Sequence, residues 1–505
     1  MGQHHMRSRI SIGATQTIAL VLALIIMGWP ALLNGAAFFF PDTQTYLRGA
    51  GTAVYEVTGW ETDWSDRHEL LRKTAENVPI VGDRVDDRLV EQAANSPQEL
   101  AHPVLLGRSV YYGLLMLPFV SLFGSLGGVF VQAGLAVLVL WITLRALGIG
   151  QGRPLAIWVL VATLALAMFT SLPFFVSLLM PDVFTGFAVA LGLSALVGWR
   201  RLNTFEKVCL VLIACFAAIS HSSNVLILSA MLALGLVVRF WCRNVQTVGI
   251  MILAVAATSG VVSERVFVEA VVAKLGEPPI RPPFLTARLI NEGPGLQLLI
   301  EKCPEIGFEA CRFRDRMPQD SDSFLWSLKP TEGVFSVESH AVQRRLAEQD
   351  SRFAWETFRA YPIEVVQHSA AASVRQLFMV KADIFNLRPS EIGELPPRYA
   401  EEVLQSRSAA GEMPMHFFDI GIYLTTLMAT GVLLFSVARG QSHEHRVAAI
   451  LLLGTVLANA LIAGALSKPH NRYNARLLWV LPLAAGAIVI SSRRNPGARC
   501  RNEDN

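Results

Sequence analysis

From Ala14 to Phe38 the sequence carries no charged residue, and a run of that kind leaves the chain few ways to fold. About 20 apolar residues cross the hydrocarbon of a bilayer as a helix. Nine further apolar runs follow, at 127–147, 154–172, 183–198, 207–221, 224–240, 247–264, 416–437, 446–467 and 475–492. They predict an all-α polytopic membrane protein with about ten transmembrane helices. The chain is 52% hydrophobic and 16% charged over 505 residues, too apolar for an ordinary soluble protein and too long for one span. Met1 to Arg9 is short and basic, but the apolar run behind it exceeds a signal-peptide core. Its only cleavage-like stretch, Leu32 to Ala37, is a poor one, so the first span is expected to stay uncleaved.

Charge placement sets the orientation. One more apolar piece, Val110 to Phe123, is short and interrupted by Pro118. Read as an interfacial segment, it leaves Arg7, Arg9, Arg145, Arg153, Arg200, Arg201, Lys207, Arg239, Arg243, Arg439, Arg446, Arg493 and Arg494 on the cytoplasmic side. Read as a span, it would put most of them outside. The positive-inside rule favours the first reading, with both termini cytoplasmic in a bacterial-type inner membrane. The expected units are an N-terminal transmembrane module (1–264), an extracytoplasmic domain (265–414), C-terminal transmembrane helices (415–492) and a cytoplasmic tail (493–505). Within the first, residues 41–107 form an outside loop with interfacial helices. The domain is mixed or mainly α. Gly276 to Pro283 reads as a stiff linker into it, and Phe353 to Ile384 as amphipathic helix with a start or kink at Tyr361–Pro362. Cys303 and Cys311 are the two cysteines assigned to the outside and form a disulfide candidate. The net charge of +3 gives no footing for nucleic acid.

The unusual polar residues gather on the outside. Asp42 follows Pro41 at the mouth of the first span, where an ionised acid is costly unless hydrated or used. Asp42, Thr45, Tyr46 and Gly49 share one face of a short helix, with Arg48 beside them. A second Pro-Asp, Pro181–Asp182, stands at the outer end of another span; an N-cap would explain it equally well. His221 occupies an outer turn, as a cap or as a partner to a reacting group. Finally, Ser467 to Arg476 sets Lys468, Arg472 and Arg476 outside, against the rule the rest of the chain obeys. A bound phosphate accounts for that breach, as do anionic lipid headgroups in the surrounding membrane. No Walker A motif, GxGxxG, HExxH or serine nucleophile elbow is present. An energised donor used outside the cell is therefore expected to be lipid-linked.

In these features the chain resembles the C-type glycosyltransferase superfamily, whose polytopic members use polyprenyl-phosphate-linked sugars. The matching residues are Asp42 with Tyr46, and Tyr111-Tyr112-Gly113-Leu114-Leu115 through Leu122-Phe123-Gly124, similar to the family's "P-x-Y-x-x-L…LFG" stretch. Asp182 in the next outside loop, Arg472-Tyr473 before the last span and the large insertion agree too. The resemblance implies a hexosyl- or pentosyltransferase with Asp42 as general base and Asp182 beside it as metal ligand or acceptor-positioning residue. Arg472 and Arg476, with Lys468 or Arg48, would balance the leaving phosphate. Tyr46, His221 and Tyr473 would complete substrate binding. The family's first-loop acid is often one of a pair, and here Thr43 follows Asp42. That leaves a divalent metal open, with Asp42 and Asp182 its ligands if there is one.

Two other readings fit the layout. A transporter or flippase of a lipid-linked envelope precursor would bind at the midplane between repeats, and the sequence shows neither a repeat nor midmembrane charges. A non-catalytic assembly scaffold of the same fold is the third.

Overall fold

The computed structural model describes residues 2–65, 104–150, 155–242, 244–318, 320–382, 387, 389–439 and 442–494. Residues 66–103 of the outside loop expected over 41–107, Arg153, Arg243, Cys500 and the tail beyond Arg494 lie outside the described residues. So do the side chains of Arg7, Arg9, Arg493 and Arg494. Among the described residues the fold is helical, with two isolated bridges, Phe38 to Leu178 and Leu105 to Ile280.

Seven helical stretches are long and apolar enough to cross a membrane: Ser125–Ala146, Val183–Arg201, Ser222–Trp241, Thr247–Leu275, Met415–Arg439, His443–Leu466 and Asn471–Ser492. The chain is thus all-α and built as a multi-pass membrane protein. The first apolar run departs from the single span expected over 14–38. It forms α1 (Gly2–Met27) and then a separate short helix, α2 (Trp29–Asn34). Gly28 and Pro30 cause the break, because proline cannot donate to the preceding turn. α3 (Pro41–Thr58) follows, then α4 (Val110–Phe123) and α5 (Ser125–Ala146), with Gly124 at φ +68° making the turn between them.

Next come α6 (Leu155–Phe169), α7 (Leu172–Ser177), α8 (Val183–Gly198), α9 (Thr204–Ser220), α10 (Ser222–Trp241) and α11 (Thr247–Leu275). α8 is the axis of the bundle. Every one of its residues is buried, and it packs against α5, α9, α10 and α11. Small residues permit this: a Cβ on Gly186 would stand 2.2 Å from Trp479 Nε1. Asp182, the residue before α8, is therefore carried to the centre of one end of the bundle. α11 continues well past residue 264, so the boundary expected there falls inside one unbroken helix.

The insert that follows has its own hydrophobic core, built on Leu289, Leu299, Phe308, Phe324, Phe335 and Phe353. Its helices are α12 (Phe284–Glu292), α13 (Pro294–Lys302), α14 (Ser321–Trp326), α15 (His340–Ala360), α16 (Pro362–Leu377), α17 (Pro389–Ile392) and α18 (Pro397–Leu404). Tyr361 separates α15 from α16, and Pro362 opens the second. Cys303 and Cys311 are joined by a disulfide. The chain then returns to the bundle with α19 (Met415–Arg439), α20 (His443–Leu466), α21 (Asn471–Leu478) and α22 (Val480–Arg494).

Candidate functional site

Four separate connections bring ionisable side chains to the insert-side end of α8. The first is the start of α3, where Pro41 takes the first helical position and Asp42 the second. Arg108, just before the Ser109 cap of α4, donates to Asp42 Oδ1 from Nε at 3.0 Å and Nη2 at 2.6 Å. Burial alone would raise the Asp42 pKa; the Arg108 and Arg472 charges outweigh it and hold the carboxyl below its usual range.

The second is Asp182. It occupies the cap position of α8 but makes no side-chain cap hydrogen bond. Its Oδ1 instead faces two guanidinium groups, Arg476 Nη1 at 3.3 Å and Arg472 Nε at 3.7 Å. The third is the turn between α9 and α10. His221 Nδ1 accepts from the Ser223 amide at 3.2 Å and meets Ser223 Oγ at 2.8 Å. Arg476 Nη2 donates to that same Ser223 Oγ at 3.1 Å. Burial, and then the Arg476 charge, push the His221 pKa down to about 4, so the imidazole is neutral.

α21 supplies the fourth. His470 caps it by accepting from the Arg472 amide, and this short helix points Arg472 and Arg476 inward. The Arg472 guanidinium lies 4.2 Å over the Phe40 ring, two residues from Asp42, and 5.6 Å from the Tyr473 ring. Yet Arg472 Nε and Nη1, Arg476 Nε and Asp182 Oδ2 are buried with no hydrogen-bond partner among the described residues. Such groups are expensive to leave unpaired. Two guanidinium groups share one carboxylate and still have N–H to spare. Three spare donor nitrogens stand against one spare carboxylate oxygen, so donors are in excess, which is the chemistry of a binding place for an oxyanion.

The structure thus gathers Asp42, Asp182, His221, Arg472 and Arg476, with Tyr473 against both arginines. Tyr46 is buried one turn along α3, edge-on to Tyr112 at 5.5 Å. Two expected members lie elsewhere. Lys468 pairs with Asp320 at 2.5 Å and Asp322 at 2.8 Å on the insert, and Arg48 donates to the Glu394 carbonyl. Lys468 thus reaches two acids of the insert, and Arg48 a backbone carbonyl of it.

Sequence reasoning missed Arg108, Ser223, Phe40 and Trp326, the last lying 4.6 Å from Arg108 with its ring under the guanidinium. Arg108 carried a usable signal. It is an arginine placed directly before an apolar piece at the expected outer interface. The site does not fit a divalent metal. Asp42 and Asp182 are each engaged by guanidinium groups, and no three His, Cys, Asp or Glu side chains converge among the described residues. No protein-family model matches the sequence, and neither a curated protein nor a solved structure matches the chain.

Proposed function

We propose that this protein is a membrane glycosyltransferase. It moves a sugar from a polyprenyl-phosphate-linked donor to an envelope acceptor at the extracytoplasmic face. In this reading the shorter apolar helices α1, α6 and α9 bring the crossings to ten, both termini are cytoplasmic, and the insert lies outside. The observation that carries it is the acceptor-poor pair Arg472 and Arg476, buried beside Asp182, with Arg472 also within the electrostatic reach of Asp42.

The chemistry follows from the placement. An acceptor hydroxyl attacks the anomeric carbon; its oxygen forms the new bond to that carbon as its proton passes to Asp42. The bond from the anomeric carbon to the phosphate oxygen breaks, and the electron pair leaves with the lipid phosphate. Arg472 and Arg476 hold the charge that develops there. Arg108 keeps Asp42 ionised and fixes its rotamer. Neutral His221 positions Ser223, which orients Arg476.

The test is transfer of labelled sugar by the purified protein in nanodiscs, from a polyprenyl-phosphate sugar to envelope acceptor extract. Transfer is expected in the wild type and its loss in Asp42→Asn, with the fold retained. Equal behaviour of the two proteins would sink the enzymatic reading. Passage of intact carrier lipid across the bilayer of sealed proteoliposomes, without transfer, would make it a flippase instead.

A further inference from the structure

α16 belongs to the insert by sequence, yet it packs along α20, one of the membrane-crossing helices. Ser373 lies directly on Gly464, where a Cβ would come within 2.5 Å of the serine backbone. One turn further along α16, Gln376 brackets His470 with two hydrogen bonds of 2.9 Å, and its carbonyl accepts from Asn474. Asn474 in turn meets Asn459, back along α20, at 2.8 Å. α16 therefore descends α20 in the antiparallel sense, towards the bundle.

Its end is clamped to α19 as well. Tyr423 donates to the Phe378 carbonyl at 3.0 Å, and the Ala382 amide donates to Asp419 at 3.1 Å. Tyr423 is roughly 12 Å along the axis of α19 from its start at Met415, at 1.5 Å per residue. The end of α16 thus stands beside the first two or three turns of a membrane-crossing helix.

The opposite face of α16 is bare. Ile363, Val366, Ala370, Val374 and Phe378 recur every three or four residues and form one uncharged exposed stripe. Val374 is 56% exposed and Phe378 70%. The stripe continues onto α15 through Trp355 and Phe358, stacked at 6.0 Å. The two helices that hold its deep end carry exposed apolar side chains as well, Phe417, Ile420 and Leu424 on α19 and Leu461 on α20. An apolar band this long is not left to water in a folded chain.

We propose that α16 is immersed in the bilayer leaflet on the insert's side, its stripe covered by lipid acyl chains. Trp355 and Phe358 lie at headgroup level, where aromatic rings concentrate. Lipid is the occupant because α16 packs along α20 and its end is tied to α19, both helices long and apolar enough to cross a membrane and both carrying exposed apolar side chains of their own. Arg375 and Lys381, both exposed beside it, have stems long enough to reach the headgroups. The consequence concerns the site. Gln376 holds His470 and Asn474, which flank Arg472, so the depth of α16 in the leaflet sets the height of Arg472 above the hydrocarbon. This seating does not depend on what the site catalyses.

The experiment places single nitroxide labels on the full-length protein at positions 366, 374 and 378. Cys209, Cys215, Cys242 and Cys500 are replaced, and the protein is reconstituted in phosphatidylethanolamine–phosphatidylglycerol nanodiscs. Collision with oxygen and with a water-soluble nickel chelate is then measured. Labels at Leu427 on α19 and at Glu332 on the insert serve as lipid and water references. Oxygen access at 374 and 378 like that at 427, tenfold or more above nickel access and falling towards 366, is the expected result. Nickel access matching position 332 would place the stripe in water and overturn the proposal. Shielding from both reagents would overturn it too, in favour of a protein partner or a second copy.

Discussion

Arg108 grips a single oxygen of Asp42 with two nitrogens, Nε at 3.0 Å and Nη2 at 2.6 Å, and stacks its own guanidinium 4.6 Å from the Trp326 ring. An insert residue thereby touches the group that tunes the acid of the bundle. The arrangement resembles a hydrogen-bonded clamp rather than a surface ion pair, since both side chains are largely buried. Its worth is read through Asp42.

In Arg108→Gln, burial and the Asp182 charge would oppose ionisation of Asp42 with only Arg472 left against them. The acid limb of the pH–rate profile is expected to move to higher pH, and Arg108→Lys to bring it part of the way back. The sign for stability follows the same logic. A carboxyl held below its unfolded value of 3.8 contributes stability above that value and loses it as pH falls through the folded one. Unfolding of the two proteins between pH 2 and 7 checks this: the acid loss contributed by Asp42 should shrink in the variant, and reverse if its folded value rises above 3.8.

Asp182→Asn removes the shared carboxylate from two buried arginines. Breaking a buried pair from one side costs about 3–5 kcal/mol, and here two cations are left facing each other. Thermal unfolding in detergent should show a large drop in midpoint. Inorganic phosphate at millimolar concentration should restore part of it if the arginines bind an oxyanion. A variant as stable as the wild type would mean that the cluster is hydrated and holds nothing.

His221 offers a cleaner titration. Above pH 6.5 the imidazole is neutral in folded and unfolded chain alike. As pH falls from 6.5 towards about 4, the unfolded chain takes the proton and the folded one does not, so stability declines across that window. His221→Gln removes this contribution. The difference between the two stability curves should slope between these pH values and be flat above 6.5.

An all-α chain with several membrane-length helices, seven of them among the described residues, was legible because apolar runs are long and their physics is blunt. Where the reading went astray, a short-range rule had more say: Gly28 and Pro30 divided the first run, and α11 passed straight through the expected domain boundary. At the site, the acids and Arg472 announced themselves by breaking charge rules. Partners did not. Nothing local to Arg108 says that it meets a residue 66 positions earlier, or that Lys468 finds Asp320 and Asp322 instead of the cluster. Pairing across the fold is a property of tertiary packing, and spacing along the chain does not encode it.

Lys468 tests that distinction directly. Its ion pairs are largely exposed, and such pairs contribute about 0–1 kcal/mol. Lys468→Met is expected to leave transfer within about threefold of the wild type and to lower stability by no more than that range. Arg472→Met should abolish transfer under the same conditions. Equal losses in the two variants would put Lys468 back among the phosphate ligands.

The last prediction concerns how the bundle holds Asp42 against Arg108. α3 and α4 cross at Gly113, where a Cβ would stand 2.0 Å from the Tyr46 carbonyl oxygen and 2.7 Å from Ala50 Cβ. The obstacle is backbone, so it cannot swing aside, and Gly113→Ala must push the two helices apart. Asp42 lies one turn before Tyr46 on α3, and Arg108 lies just ahead of α4, so the same displacement opens their hydrogen bonds. A cost of about 1–3 kcal/mol is expected for the overpacking, together with a fall in kcat. Gly49 is the control, since it lies in the same helix and a Cβ there meets nothing within 4 Å. Gly49→Ala should keep full activity and gain up to about 1 kcal/mol from helix propensity. If Gly113→Ala lost stability but kept its kcat and its pH profile, the clamp on Asp42 would not depend on that crossing. The burden would then pass to Trp326 and the insert.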